Sequence, residues 1–219
     1  MAGPRKEAAP DGGAGVDVVE ERNGDGYQSA GGGLGIVVDG VHTASVGAYA
    51  GQRTEQEVTT HEWNVGGSAS TVLGRVVQLA ADATAARALD FDTLTPARIN
   101  DGGVDLILRP TAGIRLDLSG RLTTLSPVDR LADDITERAT RLRGRLAWQF
   151  TKPLGIRVLA EHNAGNVRSP TLLSSALLTW LYHPGTAIWV GYSEVTTLDG
   201  KPEASSRAVF AKVSVLLRP

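Results

Sequence analysis

The sequence has no cysteine among its 219 residues, which excludes a disulfide framework, a thiol nucleophile and a thiolate metal site. It also lacks any uninterrupted apolar run of about 18 residues, because even its richest stretches carry Arg, Asp or Ser at short intervals; a transmembrane helix is therefore excluded. An excess of one charge is missing too. With 22 Lys and Arg against 24 Asp and Glu the formal net charge is −2, so no nucleic-acid partner and no acidic partner is implied. Aromatic residues make up only 5% of the chain, so any aromatic band must be sparse. Lysine is nearly absent: Lys6, Lys152, Lys201 and Lys212 are all there are, and the other basic residues are arginine, a bias that a high-GC bacterial genome accounts for without a functional reason. What is present, 42% hydrophobic and 21% charged residues, is the composition of a folded protein, and the length fits one continuous domain.

Residues 1–33 mix Gly, Ala, Pro and acids without sustained periodicity and read as a disordered or loop-like N-terminal arm. No basic segment is followed there by an apolar one, so a secretory signal peptide is not expected. The chain is then either not exported or a piece of a longer one, with a separate or missing N-terminal barrel segment or binding domain as its partner.

From Leu34 to Pro219 the dominant signal is period two. Val104, Leu106 and Leu108 alternate with Asp105, Ile107 and Arg109; beyond Pro110 to Gly113, Ile114, Leu116, Leu118 and Leu122 share one parity, against Arg115, Asp117, Ser119 and Arg121. The next hairpin sets Leu142, Leu146, Trp148 and Phe150 against Arg141, Arg143, Arg145 and Gln149, and returns through Ile156, Val158 and Ala160 against Arg157, Leu159 and Glu161. A helix would scatter these apolar residues around its circumference, whereas a strand collects them on one face.

Such runs number about eleven, or twelve with one more before Leu34, and many are longer than the roughly 5–6 residues usual in soluble sheets. Short turns at Asp39-Gly40, Leu73-Gly74, Pro110 to Gly113, Thr151 to Pro153 and His183 to Gly185 alternate with longer connections at Asp90 to Gly102, Ser126 to Glu137, Gly165 to Pro170 and Thr196 to Ser206. Short turns at one end and long loops at the other predict an all-β fold, an antiparallel up-and-down transmembrane β-barrel or the C-terminal part of a larger one. Trp148, Phe150, Trp180 and Tyr182 share the aliphatic parity beside two of the short turns, the expected place for an aromatic girdle at one membrane interface. The expected partner is then the lipid bilayer of the bacterial outer membrane. A soluble antiparallel β-barrel or sandwich, with those aromatics in its core and a small ligand inside, is the alternative.

The stretches GRLAWQFTKPLGIRVLAEHN, LLSSALLTWLYHPGTAIWVGYSE and SRAVFAKVSVLLRP carry a resemblance. With Gln149-Phe150-Thr151 at a turn, Asn163 at a loop entry, Pro184-Gly185-Thr186 at a second turn, Gly191-Tyr192 in a strand and Phe210, Lys212, Ser214 and Leu216 in the last one, residues 144–219 resemble the end of a bacterial family. Its members are large outer-membrane proteins of unknown function that join a family-nine carbohydrate-binding-like domain to a C-terminal β-barrel. The resemblance implies an outer-membrane barrel acting as a channel or surface-anchoring module. Upstream, from Leu34 to Arg138, only the hairpin periodicity agrees. The chain departs from the family in ending Leu217-Arg218-Pro219, without a terminal aromatic, and in lacking the carbohydrate-binding-like domain.

Little else points to chemistry. His42, His61, His162 and His183 stand apart, without a second ligand at metal-binding spacing. Gly31-Gly32-Gly33 and Gly66-Gly67 lack the strand-to-helix context of phosphate loops, and no G-x-S-x-G elbow exists. No enzymatic activity, metal or cofactor is expected. The candidate functional residues are those of the polar face: Asp105, Arg109, Arg115, Asp117, Arg121, Arg141, Arg143, Arg145, Arg157 and Glu161. Facing a lumen, they would either line a wet, charge-selective channel or pair into a ladder, Arg115 with Asp117 and Arg157 with Glu161, that fills the interior and fixes register.

Overall fold

A computed structural model describes residues 10–20, 26–38, 41–55, 58–90, 95–128, 137–183 and 186–215. Their regular structure is entirely β: β1 (Pro10–Glu20), β2 (Gly26–Val38), β3 (His42–Glu55), β4 (Val58–Leu73), β5 (Val77–Asp90), β6 (Thr95–Thr111), β7 (Ile114–Pro127), β8 (Glu137–Gln149), β9 (Leu154–Gly165), β10 (Thr171–His183), β11 (Thr186–Thr197) and β12 (Glu203–Val215). They form one 12-stranded sheet in the order of the chain. β1 and β12 are the ends of that order. Each strand exceeds the roughly 9–11 residues that a tilted strand needs to cross a bilayer, or reaches the top of that range.

Three stretches differ from the sequence reading. Residues 10–20 and 26–33, expected as an arm, are β1 and the first part of β2, paired from Pro10↔Ile36 to Glu20↔Gly26. Glycine removes the side-chain alternation that would announce a strand, yet its N–H and C=O still complete a ladder offered by β3. β6 likewise begins at Thr95, inside the loop expected at Asp90 to Gly102, and Val128 N–H donates to the Pro96 carbonyl (2.9 Å). The loop expected at Ser126 to Glu137 shortens in turn, because Ser126 and Pro127 belong to β7; residues 129–136 lie outside the described ones. At the tight β4–β5 connection Gly74 has φ +63°, a left-handed conformation open to glycine at no steric cost.

The chain divides into two compact units. The first comprises Met1–Val72, Leu79–Val104 and Leu122–Arg138. In it Leu34, Ile36 and Val38 lie exposed on one face of β2, with Val46 opposite Leu34 on β3. Polar residues occupy the other face: Thr43 and Ser70 hydroxyls are 2.7 Å apart, and Ser45 and Ser68 2.9 Å. The second unit comprises Leu73–Gln78, Asp105–Arg121 and Ala139–Pro219. There Leu118 of β7 lies 3.4 Å from where a Cβ on Gly144 would stand, and Leu142 of β8 is 3.3 Å from the same point at Gly120. Each leucine thus rides over a glycine of the neighbouring strand. Gly191 of β11 similarly leaves room for the ring of Phe210 on β12.

Among the described residues the buried apolar side chains are Ala86, Leu89, Ala97 and Ala187, and no large side chain is fully buried. Many long aliphatic and aromatic residues, among them Leu142, Trp148, Val209 and Val213, are by contrast exposed.

Candidate arginine–carboxylate face

β7, β8 and β9 carry the site. Their odd-numbered residues point to one face because strand side chains alternate, and register decides who meets whom. Gln149 N–H donates to the Gly113 carbonyl at the β7–β8 end (2.7 Å), and this pairing sets Asp117 beside Arg145. Arg115, two residues before Asp117 on the same face, donates from Nε to Asp117 Oδ1 (2.7 Å). Arg145 donates from Nε to Asp117 Oδ2 (2.8 Å), and its Nη2 reaches the same oxygen. One carboxylate therefore fastens two guanidiniums across a strand pair.

Glu161 on β9 repeats the arrangement. It stands directly opposite Arg143, with Asn163 opposite Arg141. Its Oε2 accepts from Arg141 Nη2 (2.9 Å) on the diagonal and lies 3.8 Å from Arg143 Nε, while Asn163 Nδ2 donates to Oε1 (3.2 Å). Diagonal neighbours on a sheet are about 7–8 Å apart at Cα, within the reach of arginine. Together these clusters set four guanidiniums against two carboxylates, and the face keeps a positive surplus.

The remaining sequence candidates fall elsewhere. Arg157 is on the face of Glu161, but four residues along a strand is about 13 Å, and it sits opposite Ala147. The carboxylate expected for Arg157 is taken by Arg141 and Arg143. Asp105 and Arg109 are exposed on β6 outside both clusters, and Arg121 is exposed on β7.

The opposite parity carries the aromatics. Trp148, next to the last residue of β8, stands beside Phe150 with ring centroids 4.3 Å apart, and on β10 Trp180 and Tyr182 meet edge to face at 5.7 Å. All four are exposed.

The sequence reading missed three polar contacts. In the first unit Glu62, 5% exposed, lies 3.2 Å from Arg53 Nε and accepts the Leu89 N–H at 3.2 Å. The signal was there in parity: Glu62 shares the face of Asn64, Ser68 and Ser70. In the second unit Arg207 Nη2 pairs with Glu194 Oε1 (3.3 Å), Tyr192 O–H donates to the other oxygen, Oε2, and Lys212 Nζ lies 5.5 Å from the centre of the Trp189 ring. These cross-strand partners emerge only once β11 and β12 are in register.

No protein-family profile matches this sequence, and no curated protein is detectably similar to it. Among solved structures the chain is similar to the siderophore receptor PirA from Pseudomonas aeruginosa, with a TM-score of 0.55 and 13% identity over 92% of this chain and 44% of that one. The beta domain of the Bordetella autotransporter BrkA aligns over 95% of this chain and 96% of its own, at 12% identity and a TM-score of 0.34. The chain spans less than half the length of the siderophore receptor. With its antiparallel up-and-down strands, it has the fold of bacterial outer-membrane β-barrels.

Proposed function

We propose that the chain forms the membrane-spanning strands of a bacterial outer-membrane β-barrel, without enzymatic activity, acting as a channel or surface-anchoring module. One observation carries this reading: on β7 to β9 long apolar side chains are exposed on one strand parity while arginine–carboxylate clusters occupy the other. A bilayer covers such an apolar face, and a polar interior suits the opposite one. The polar face is then the lumen, and the carboxylate bridges make it a ladder that fixes register. The exposed Trp148, Phe150, Trp180 and Tyr182 form part of a girdle at the short-turn interface. The resemblance of residues 144–219 to barrels that follow a carbohydrate-binding-like domain, a reading of the sequence alone, would place the chain at the C-terminal side of a larger assembly.

Cell fractionation tests the membrane assignment. The chain should sediment with outer membranes and need detergent for release, and a monodisperse chain in plain buffer would restore the soluble sandwich. Orientation follows from the longer connections, which face outward in such barrels. Protease added to intact cells should cut between Val128 and Glu137. Cuts confined to residues 110–113 or 183–185 would reverse the topology.

A further inference from the structure

A hollow of about 300 Å³ lies in the second unit, where β7 to β10 approach the short β8–β9 connection. The volume is at the lower end of small-molecule sites, room for one ring and a head group. Three cations line it, Arg115, Lys152 and Arg157, and no Asp or Glu does. Two small residues stand among those that line it: Ala147, on the β8 parity that carries Arg141, Arg143 and Arg145, and Gly155 of β9.

The charge pattern distinguishes this hollow from the rest of the face. Arg141, Arg143 and Arg145 are each tied to a carboxylate, and so is Arg115. Among the described residues neither Arg157 nor Lys152 has an acidic partner. Leu177 and Leu181 supply an apolar side to the same space. A guanidinium without a counter-ion, beside an apolar wall, matches an anionic head carried on a small apolar body.

We infer that this hollow binds a small organic anion, its carboxylate or phosphate head on Arg157 and Lys152 and its apolar part against Leu177 and Leu181. The inference goes beyond the barrel reading and does not depend on it, because every lining residue belongs to one compact unit.

The test is calorimetric titration of the full folded chain, in detergent or, if the chain is monodisperse there, in plain buffer. Phenyl phosphate and benzoate are the probes, and phenol is the neutral control. At least one anion should bind saturably and phenol about tenfold or more weakly, because a hydrogen bond to a charged group is lost. The tighter anion identifies the head group. Arg157→Gln should weaken binding about tenfold or more without unfolding the chain, since it breaks no ion pair. Ala147→Leu should abolish binding by filling the hollow. Unchanged affinity in R157Q, equal binding of phenol, or no saturable binding of either anion overturns the inference. Fractionation reads the barrel assignment separately, so the two can fail independently.

Discussion

Replacing Leu142 by arginine should destabilise the chain folded in lipid by about 2–4 kcal/mol, the cost of a cation on the lipid face near the bilayer midplane. Leu142 is near the middle of β8, 53% exposed, and rests over Gly120 of β7. In the barrel reading only acyl chains cover what the glycine leaves bare. Urea unfolding in phospholipid vesicles, followed by tryptophan fluorescence, measures the effect. A cost under about 0.5 kcal/mol with the fold retained would put Leu142 in water, since exposed substitutions in soluble proteins usually fall within that range.

The arginines of β8 should respond unequally. Arg145 binds Asp117 through both Nε and Nη2, whereas Arg143 faces Glu161 at 3.8 Å, beyond good hydrogen-bonding distance. Arg145→Gln should therefore cost about 1–2 kcal/mol, discounted from a fully buried pair because Arg145 is partly solvated, and Arg143→Gln less than about 0.5 kcal/mol. The same unfolding assay ranks them. Equal costs would mean that the guanidiniums act only through the general field of the face, and ion selectivity in planar bilayers would then be the property to follow in the triple Arg141/Arg143/Arg145 to Gln variant.

β7 to β9 could be read from the sequence because their two faces differ sharply in polarity: Leu116 and Leu118 against Arg115 and Asp117, and Leu142 and Leu146 against Arg143 and Arg145. A one-residue slip would put guanidiniums on the aliphatic face, so pattern and register enforce each other. β1 was not legible for the opposite reason, since Gly12, Gly13 and Gly15 carry no side chain to reveal a face. Asn100, Asp101 and Gly102 read as the end of a longer connection, yet they lie within β6, where Asn100 Nδ2 donates to Thr124 Oγ1 (3.3 Å) and Thr123 Oγ1 donates to Asp101 Oδ2 (2.5 Å). Turn-forming residues become strand residues when a neighbouring strand offers such partners. At the polar face the chemistry was visible and the pairing was not. Glu161 is close to Arg157 in sequence, but the register places it opposite Arg143 and within reach of Arg141.

The glycines shared by β1 and β2 bear on how the sheet assembles. Every pairing joins strands that are consecutive in the chain, so hairpins can zip one after another with little loop-closure entropy to overcome. Most ladders formed this way lock, because sliding one by two residues would misalign charges and leucines. Between β1 and β2 the matched residues are Gly13↔Gly33, Ala14↔Gly32 and Gly15↔Gly31, and a two-residue slide would set Gly15 against Gly33 or Gly13 against Gly31. Such a slide keeps each residue on its face, and at these glycine positions it meets no side chain to resist it. Register at this margin of the sheet is consequently weakly specified, and its amide protons should exchange faster than those of β8 and β9, which hydrogen–deuterium exchange reads strand by strand.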